Sequence, residues 1–243
     1  MKAIILAAGE GKRLRPLTDN KPKCLVEYQG KPILDYQLET LRSCGIHDIV
    51  VVKGYQAEIL QREGVRFVVN PDYAATNMVY TLFCAEQELS GDTIISYGDI
   101  IYSKEVLEKL VSCEDDVAVV VDKKWRLLWE KRMTDPLKDA ETMKISAQGE
   151  ILELGKKPRD YNDIQGQYIG LIRFSGPVID PIKNFYFCLD RSKIYDEMDF
   201  SKMYMTSFIQ EIIVHLMPVK AVFIEGGWIE IDSLSDLSVD YVF

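Results

Sequence analysis

A glycine-containing segment near the N-terminus carries the residue types that bind a chain of phosphates. After the apolar run at residues 3–8 come two glycines and several cations: Gly9, Gly11, Lys12, Arg13, Arg15 and Lys23. Glycine lets backbone N–H groups approach a phosphate without interference from a Cβ atom, and the cations balance the phosphate charge. This composition predicts a binding loop for a triphosphate. The alternative is a plain strand-to-loop turn with a solvated basic run.

The spacing of these glycines excludes two common nucleotide-binding loops. A dinucleotide-binding turn needs a third glycine where this chain has Leu14, and its second strand would end in an acidic ribose ligand rather than in Lys53. A P-loop needs Gly-Lys followed by Ser or Thr, whereas the two Gly-Lys pairs here precede Arg13 and Pro32. Hydride transfer and ordinary NTP hydrolysis are therefore disfavoured.

Three carboxylates from two distant parts of the sequence have the placement of a cation site. Asp99 follows the apolar run at residues 93–97, which puts it at the carboxyl edge of a sheet, where ligands bind in open α/β folds. Glu230 and Asp232 alternate at the end of another short run, so both point to the same side of a strand. Mg²⁺ prefers one or two carboxylates together with phosphate oxygens. The alternative is that Asp99 is a turn residue and that Asp232 is the N-cap of a helix that begins at Ser233.

The elements that position these residues follow an α/β pattern. Continuous β-branched and aliphatic runs, typical of strands covered on both faces, recur at residues 3–8, 48–52, 66–69, 93–97, 117–121, 167–174, 219–225 and 228–231. Helical patterns lie between them, after Pro32, at residues 76–89, 104–111 and 204–216, and from Ser233. We therefore predict an α/β fold with a mixed, mostly parallel sheet flanked by helices.

The stretch at residues 123–142 breaks this regularity. It is charged, contains two tryptophans and a proline, and is too polar for a core strand and too interrupted for a long helix. A hairpin follows, with predicted strands at residues 143–146 and 151–154. The chain has no Gly/Ser-rich or Pro-rich linker and no repeat, so we predict a single domain over residues 1–243 with the 123–142 stretch as an insertion.

Composition limits the class of protein and its setting. The chain has 243 residues, 47% of them hydrophobic and 28% charged, which is ordinary for a soluble globular protein. Its net charge of -9 disfavours a nucleic-acid partner, because duplex binding is driven by basic groups. No apolar run approaches the ~20 residues that span a bilayer, so we expect no membrane partner. The five cysteines lack C-x-x-C spacing, so we expect no disulfide framework, no zinc site and a reducing cytoplasm.

The N-terminal motif resembles that of the nucleotidyltransferases, which join a nucleoside triphosphate to a phosphorylated small molecule. Their opening reads L-A-A-G-x-G-x-R-L-x-P-L-T and then P-K-x-L, and residues 6–18 and 22–25 match every fixed position. The resemblance implies a Rossmann-like fold in which one continuous segment holds the nucleotide through Leu6, Ala7, Ala8, Gly9, Gly11 and Lys12.

Catalytic and metal-binding roles are implied by the same resemblance. Arg13 would engage the leaving pyrophosphate and Lys23 would steady the phosphates. Asp99 and Asp232 would hold Mg²⁺, or Mn²⁺ in its place, with Glu230 as a further candidate ligand. Attack of a phosphate oxygen on the α-phosphorus brings two anions together, so fixed cations and backbone donors are what this reaction needs.

Two further segments are similar to the small cytidylyltransferases that activate phosphocholine and related headgroups. Residues 228–233 read Trp-Ile-Glu-Ile-Asp-Ser, in their E-I-D-S form, whereas the sugar-1-phosphate enzymes have a W-x-D-x-G turn. Residues 77–82 resemble their N-x-x-x-S-L segment near the nucleotide, with Thr81 in place of Ser. The resemblance implies that CTP is the nucleotide and that Tyr73, Asn77 and Thr81 contact it.

The 123–142 insertion and the hairpin behind it are expected to bind the second substrate. Trp125, Trp129 and several tyrosines are candidates for an aromatic cage around choline. An amino-acid headgroup instead needs a cation such as Arg126 for its carboxylate and an acid for its ammonium. The L-G-K-K-P run at residues 154–158 matches an acceptor-binding element of the family, which implies that Lys157 contacts the acceptor phosphate.

The expected function is the coupling of CTP with a phosphorylated small molecule. The pattern of the whole chain, particularly residues 204–237, is most similar to members of this family that convert CTP and phosphoglutamine into CDP-glutamine and pyrophosphate for capsule phosphoramidate synthesis. The alternatives are phosphocholine or another headgroup, a sugar 1-phosphate, and a regulatory nucleotide-binding module without chemistry. The sequence leaves open whether the chain forms a homo-oligomer.

Overall fold

The computed structural model describes residues 1–241. Apolar and β-branched runs form most of its strands: β1 (Lys2–Ala7), β2 (Glu27–Tyr28), β3 (Lys31–Pro32), β4 (Asp48–Lys53), β5 (Val65–Val69), β6 (Thr93–Tyr97), β7 (Ile100–Tyr102), β8 (Val117–Asp122), β9 (Met143–Ile145), β10 (Ile151–Leu154), β11 (Gln167–Phe174), β12 (Lys220–Ile224) and β13 (Trp228–Glu230). The helices are α1 (Ile33–Ser43), α2 (Met78–Cys84), α3 (Lys104–Val111), α4 (Trp125–Arg132), α5 (Ile179–Cys188) and α6 (Met205–His215). Within residues 1–241, no helix is long and apolar enough to cross a membrane.

Seven strands form one central sheet in the order β12-β8-β11-β6-β1-β4-β5. β11 is antiparallel to both of its neighbours, β6 and β8, and the remaining pairs are parallel. The other strands pair in small two-stranded sheets, β2 with β3, β7 with β13 and β9 with β10. The predicted mixed, mostly parallel sheet is confirmed.

Alternate side chains of the central strands pack into apolar layers on opposite faces of the sheet. In β1, Ile4 and Leu6 face the layer that contains residues of α2, α5 and α6. Ala3 and Ile5 face the layer that contains residues of α1, α3 and α4. Because both faces are covered, the loops at the carboxyl ends of the parallel strands are the part of the sheet that is open to a ligand.

Two predicted helices are shorter in the structure. The region predicted helical at residues 76–89 forms α2 and then a 3₁₀ turn at Glu86–Glu88. α2 begins late because the side chain of Asn77 accepts the backbone N–H of Met78 and caps the helix there. The helix predicted from Ser233 is a 3₁₀ turn at Leu234–Ser238.

Two helices were not predicted. α4 lies in the stretch predicted to be an insertion, where the many charged residues made its apolar spacing hard to recognise. In the structure, Trp125, Leu128 and Trp129 are all buried on one face of this helix. These positions are i, i+3 and i+4, the spacing of an amphipathic helix. α5 contains Pro181 in its first turn, where a missing backbone N–H is tolerated, so the proline does not exclude a helix there.

Candidate active site

The carboxyl ends of β1 and β6 lie side by side and form the base of the site. The strands are parallel partners, and the backbone N–H of Gly98, just after β6, donates to the carbonyl of Leu6 at 2.9 Å. A Cβ atom at Gly98 would lie 2.7 Å from that carbonyl oxygen, so only glycine allows the approach. The chain therefore delivers Asp99 directly beside the loop that follows β1.

A cleft opens above this edge and contains most of the residues predicted to bind the nucleotide. It is lined by residues 6–9, 76–78 and 97–99, and by Lys23, Cys24, Tyr73 and Thr81. Of the predicted nucleotide-binding residues, Leu6, Ala7, Ala8, Gly9, Tyr73, Asn77 and Thr81 line this cleft. We call it the nucleotide cleft.

Gly11 and Lys12 do not line the nucleotide cleft. Gly11 has a φ of 64°, and a Cβ atom there would lie 3.0 Å from the Cβ of Lys23, so this glycine lets the loop pack against Lys23. The side chain of Lys12 is 70% exposed and lies 3.5 Å from the carboxylate of Glu10. The structure therefore gives Gly11 a backbone role and leaves Lys12 at the surface.

Asn77 and Thr81 line the nucleotide cleft with polar groups that already have partners. The side chain of Asn77 accepts the N–H of Met78 at 2.8 Å. The hydroxyl of Thr81 donates to the carbonyl of Asn77 and accepts from the side-chain amide of Asn70, which is 3.0 Å away. These bonds fix the start of α2 at the wall of the cleft.

Lys23 lies at the mouth of the nucleotide cleft between two carboxylates. Its ammonium is 2.7 Å from a carboxylate oxygen of Asp99 and 2.7 Å from one of Asp232. Arg13 pairs with the other oxygen of Asp232. Burial alone would lower the pKa of Lys23, but the surrounding carboxylates, Asp99 foremost, raise it above its ordinary value, so the ammonium stays charged.

Strand pairing explains why residues so far apart in sequence meet here. β13 is antiparallel to β7, with Glu230 opposite Ile100. The backbone N–H of Ile231 donates to the carbonyl of Asp99 at 2.9 Å. Because side chains alternate along a strand, Glu230 and Asp232 both face Asp99.

The three carboxylates fit a hard divalent cation. Oxygen atoms of Asp99, Glu230 and Asp232 lie within 4.8 Å of one another. Oδ1 of Asp99 is buried and has no hydrogen-bond partner among the described residues, so one ligand oxygen is unsatisfied by the protein. Burial and then the charge of Asp99 raise the pKa of Glu230 to about 7, as expected where carboxylates are brought together. An all-oxygen set of this kind suits Mg²⁺ or Mn²⁺.

Asp232 does not cap the 3₁₀ turn that follows it, contrary to the alternative raised from the sequence. The carboxylate of Asp236 reaches back and accepts the backbone N–H groups of Asp232, at 2.9 Å, and of Ser233, at 2.7 Å. The capping residues are therefore Ser233 and Asp236. The side chain of Asp232 is left to contact Lys23 and Arg13.

A second cleft adjoins the first and shares Met78 and Tyr97 with it. Aromatic rings and carboxylates dominate its wall: Trp129, Tyr168, Tyr204, Trp228, Asp139, Glu141 and Glu230. No Lys or Arg of residues 1–241 is among the residues that line it. We call it the acceptor cleft.

Hydrogen bonds hold both tryptophans of the acceptor cleft in place. The indole N–H of Trp129 donates to Asp139 at 3.0 Å, and that of Trp228 donates to the buried carboxylate of Asp122 at 2.9 Å. Burial, followed by the charges of Asp139 and Asp196, raises the pKa of Glu141 to about 7. The cleft is thus a rigid aromatic pocket with a surplus of acids.

Of the residues predicted to bind the acceptor, Trp129 lines this cleft, whereas Trp125, Arg126 and Lys157 lie outside it. Trp125 is 5% exposed and packs against Trp129 in the core. Arg126 points away, pairs with Glu130 and stacks over a tyrosine ring. Lys157 is exposed after β10 and lines neither cleft.

Sequence reasoning missed most of the acceptor cleft, including Glu141, Tyr168, Tyr204 and Trp228. Trp129, which was predicted as part of an aromatic cage, does line the cleft. The others come from separate segments of the chain, and only the tertiary fold brings them together.

Comparisons with known proteins agree with this geometry. A model of the MobA-like NTP transferase domain matches residues 3–154. The CTP:phosphoglutamine cytidylyltransferase of Campylobacter jejuni is 48% identical over 98% of this chain and 98% of its own length. The choline-phosphate cytidylyltransferase of Streptococcus pneumoniae is 43% identical over 42% of this chain and 46% of its own.

A solved structure has the same architecture. The CTP:phosphocholine cytidylyltransferase from Streptococcus pneumoniae covers 97% of this chain and 95% of its own, with a TM-score of 0.70 and 27% identity. These similarities confirm the resemblance to nucleotidyltransferases and to small cytidylyltransferases that the motifs predicted.

Proposed function

Because this chain belongs to the MobA-like NTP transferase family, we propose that it is a cytidylyltransferase that couples CTP with phosphoglutamine to give CDP-glutamine and pyrophosphate. The observation that carries this proposal is the convergence of Lys23, Asp99 and Asp232 at the junction of two clefts. The 48% identity to a phosphoglutamine cytidylyltransferase, which extends over 98% of this chain, supports the choice of acceptor.

The reaction is the displacement of pyrophosphate from CTP by a phosphate oxygen of the acceptor. That oxygen forms a bond to the α-phosphorus, and the bond from the α-phosphorus to the bridging oxygen breaks. The acceptor phosphate is already ionised near neutral pH, so no general base is required. What the reaction needs is positive charge and fixed donors around two meeting anions.

Lys23 and Arg13 are the side chains that supply this positive charge. Lys23 is held at the end of the nucleotide cleft, where the phosphates of a bound nucleotide would lie. The side chain of Arg13 is 69% exposed and pairs with Asp232, so it would exchange this carboxylate for the leaving pyrophosphate. Asp99 and Asp232 would hold Mg²⁺ or Mn²⁺, which when bound neutralises charge on the phosphate oxygens.

The acceptor cleft favours a headgroup with an ammonium. Its wall carries Asp139, Glu141 and Glu230 beside several aromatic rings and has no cation among the described residues. Such a wall attracts an ammonium through charge and through the faces of the rings, and it repels a bare carboxylate. Tyr204 also lines the cleft, and its hydroxyl can donate to the α-carboxylate of an amino acid.

Within this cleft we assign Glu141 to the α-ammonium of the acceptor. Glu230 is paired with Arg132, and Asp139 accepts the indole N–H of Trp129, which leaves Glu141, bonded to the hydroxyl of Thr206, as the acid we assign to an ammonium. An ammonium next to Glu141 would lower its raised pKa and complete the pairing. A sugar 1-phosphate offers no such group.

Pyrophosphate release from CTP with a panel of acceptors tests the proposal. We expect turnover to be fastest with phosphoglutamine, slower with phosphocholine and negligible with glucose 1-phosphate. Fastest turnover with phosphocholine would support cytidylyl transfer but would identify phosphocholine, and not phosphoglutamine, as the acceptor. Release with none of the acceptors would favour a nucleotide-binding module. A role in capsule phosphoramidate synthesis stays a prediction of the resemblance, and a cytoplasmic location stays a prediction of the cysteine pattern.

A further inference from the structure

Arg132, the last residue of α4, is buried and paired with two carboxylates from the C-terminal segment. Its side chain is 4% exposed. The guanidinium donates to Glu230 at 2.8 Å and to both oxygens of Asp236, at 2.9 and 3.3 Å. The planar fork of arginine fixes the orientation of both acids at once, which a lysine cannot do.

The bonds of Asp236 extend this network to the backbone of Asp232. One oxygen of Asp236 accepts the N–H groups of Asp232, at 2.9 Å, and of Ser233, at 2.7 Å. We call Asp99, Glu230 and Asp232 the acidic cluster. Arg132 therefore contacts this cluster in two ways. It holds the carboxylate of Glu230 directly, and it holds the backbone of Asp232 through Asp236.

α4 also forms part of the acceptor cleft. Trp129, one turn before Arg132, lines that cleft, and its ring lies 5.6 Å from the guanidinium of Arg132. The same short helix thus contacts the acceptor cleft at one residue and the acidic cluster at another.

We propose that Arg132 is a positioning residue for cytidylyl transfer: it keeps Glu230 out of the cation-binding pair and fixes Asp232 beside Asp99. The proposal rests on the proposed function and goes beyond it by assigning different roles to the three carboxylates. Oε2 of Glu230 is held by Arg132, which lines neither cleft. The oxygens of Asp232 pair instead with Lys23 and Arg13, the two cations expected to move to the phosphates of the nucleotide, and Oδ1 of Asp99 has no hydrogen-bond partner among the described residues. Asp99 and Asp232 are therefore the cation ligands, and Glu230 is the anchor for α4.

Arg132→Lys is the deciding variant. It keeps the positive charge, so the buried acids stay neutralised, but one ammonium cannot span both Glu230 and Asp236. We expect its kcat to fall at least tenfold and the Mg²⁺ concentration for half-maximal rate to rise at least fivefold. The KM for CTP should change less than twofold. Lys131→Met, an exposed change on the same helix, should leave all three values as in the parent.

Mn²⁺ binding separates positioning from a loss of structure. With CTP present and no acceptor, electron paramagnetic resonance titration should show Mn²⁺ bound at least fivefold more weakly by Arg132→Lys than by the parent. Asp236→Asn, which weakens the hold on the Asp232 backbone, should weaken Mn²⁺ binding in the same direction. The melting temperature of each variant shows whether it is folded.

The outcomes are decisive in either direction. Parental Mn²⁺ affinity and parental kcat in a folded Arg132→Lys protein would overturn the proposal. Equal loss of CTP affinity and of kcat would also overturn it, because it would indicate general damage rather than misplaced carboxylates. If no acceptor supports turnover in the parent, the proposed function fails, and the Mn²⁺ titration alone decides the role of Arg132.

Discussion

The nucleotide cleft and the acceptor cleft share a sheet edge but are built in different ways. The nucleotide cleft takes much of its wall from residues 6–9, with the rest from short segments near α2 and β6. The acceptor cleft is assembled from α4 and the chain after it, β11, the start of α6, and β13. In the proposed function, a local motif therefore holds the nucleotide, whereas recognition of the second substrate depends on how distant segments pack.

The largest effect is expected where the two clefts meet. Asp232→Asn keeps the shape of the side chain but removes one negative charge from the cation site, so kcat should fall about a hundredfold or more. The melting temperature should barely change, because Ser233 and Asp236 cap the following turn. Pyrophosphate release and thermal unfolding measure the two quantities, with the exposed Asp180→Asn as the control. Turnover of Asp232→Asn at the parental rate would instead assign the ligand role to Glu230.

The nucleotide cleft should discriminate the base. Tyr73 and the start of α2 close this cleft, and the resemblance to small cytidylyltransferases implies a pocket for a pyrimidine. We expect kcat/KM for CTP to exceed that for ATP by about a hundredfold. Pyrophosphate release measured with each nucleotide separately gives the ratio. Equal turnover would mean that this side of the site recognises only the phosphates.

A change at Glu141 should affect the acceptor cleft alone. A hydrogen bond to a charged group is worth about 1.5–3 kcal/mol, so Glu141→Gln should raise the KM for phosphoglutamine at least about tenfold. The KM for CTP should stay within about twofold, because Glu141 does not line the nucleotide cleft. Glu153→Gln, on β10, is the matched control. A parallel rise in both KM values would contradict a division of labour between the clefts.

The pH dependence of stability sharpens the same assignment. The pKa of Glu141 is raised to about 7 in the fold, so folding favours its protonated form. That contribution is complete below the ordinary pKa of a glutamate and is lost as the pH rises through about 7. Glu141→Gln resembles the protonated form, so its melting temperature should exceed that of the parent by a few degrees at pH 8 and by little at pH 5. Thermal unfolding across this range checks the sign.

The smallest effect is expected at Lys12. Its side chain is exposed and lies near Glu10, so Lys12→Ala should raise the KM for CTP by no more than about threefold. Lys23→Ala should be far more damaging, because Lys23 is buried between two carboxylates. Similar losses in both variants would show that the loop after β1 moves onto the nucleotide and brings Lys12 with it.

Features formed by contiguous residues could be predicted from the sequence, whereas most of the acceptor cleft, which is formed by distant segments, could not. The strand runs and the loop after β1 were predictable because their residues are contiguous and the pattern repeats over a few positions. The meeting of Asp99 with Asp232 was predictable only with the help of the family resemblance. Their residue types alone also suit a turn or a helix cap. The pairing of β13 with β7, which explains the meeting physically, has no signal in either strand.

The acceptor side was hard to predict for a further reason. α4 combines a short apolar stripe with charged residues on its other face, so an average over the insertion looks like a loop. Trp125 and Trp129 are the same residue type and are equally buried, yet Trp129 lines the cleft and Trp125 does not. The contacts of Arg132 with two acids about a hundred residues away depend entirely on the fold.

The position of Lys23 affects the order in which ligands can bind. Its ammonium rests on the carboxylates of Asp99 and Asp232, so a dissolved divalent ion must compete with a cation that the chain itself keeps at high effective concentration. A bound triphosphate gives the ammonium a different anion to contact. We therefore expect little metal uptake by the protein alone and strong uptake together with the nucleotide, so that a single lysine makes the entry of one ligand conditional on the other.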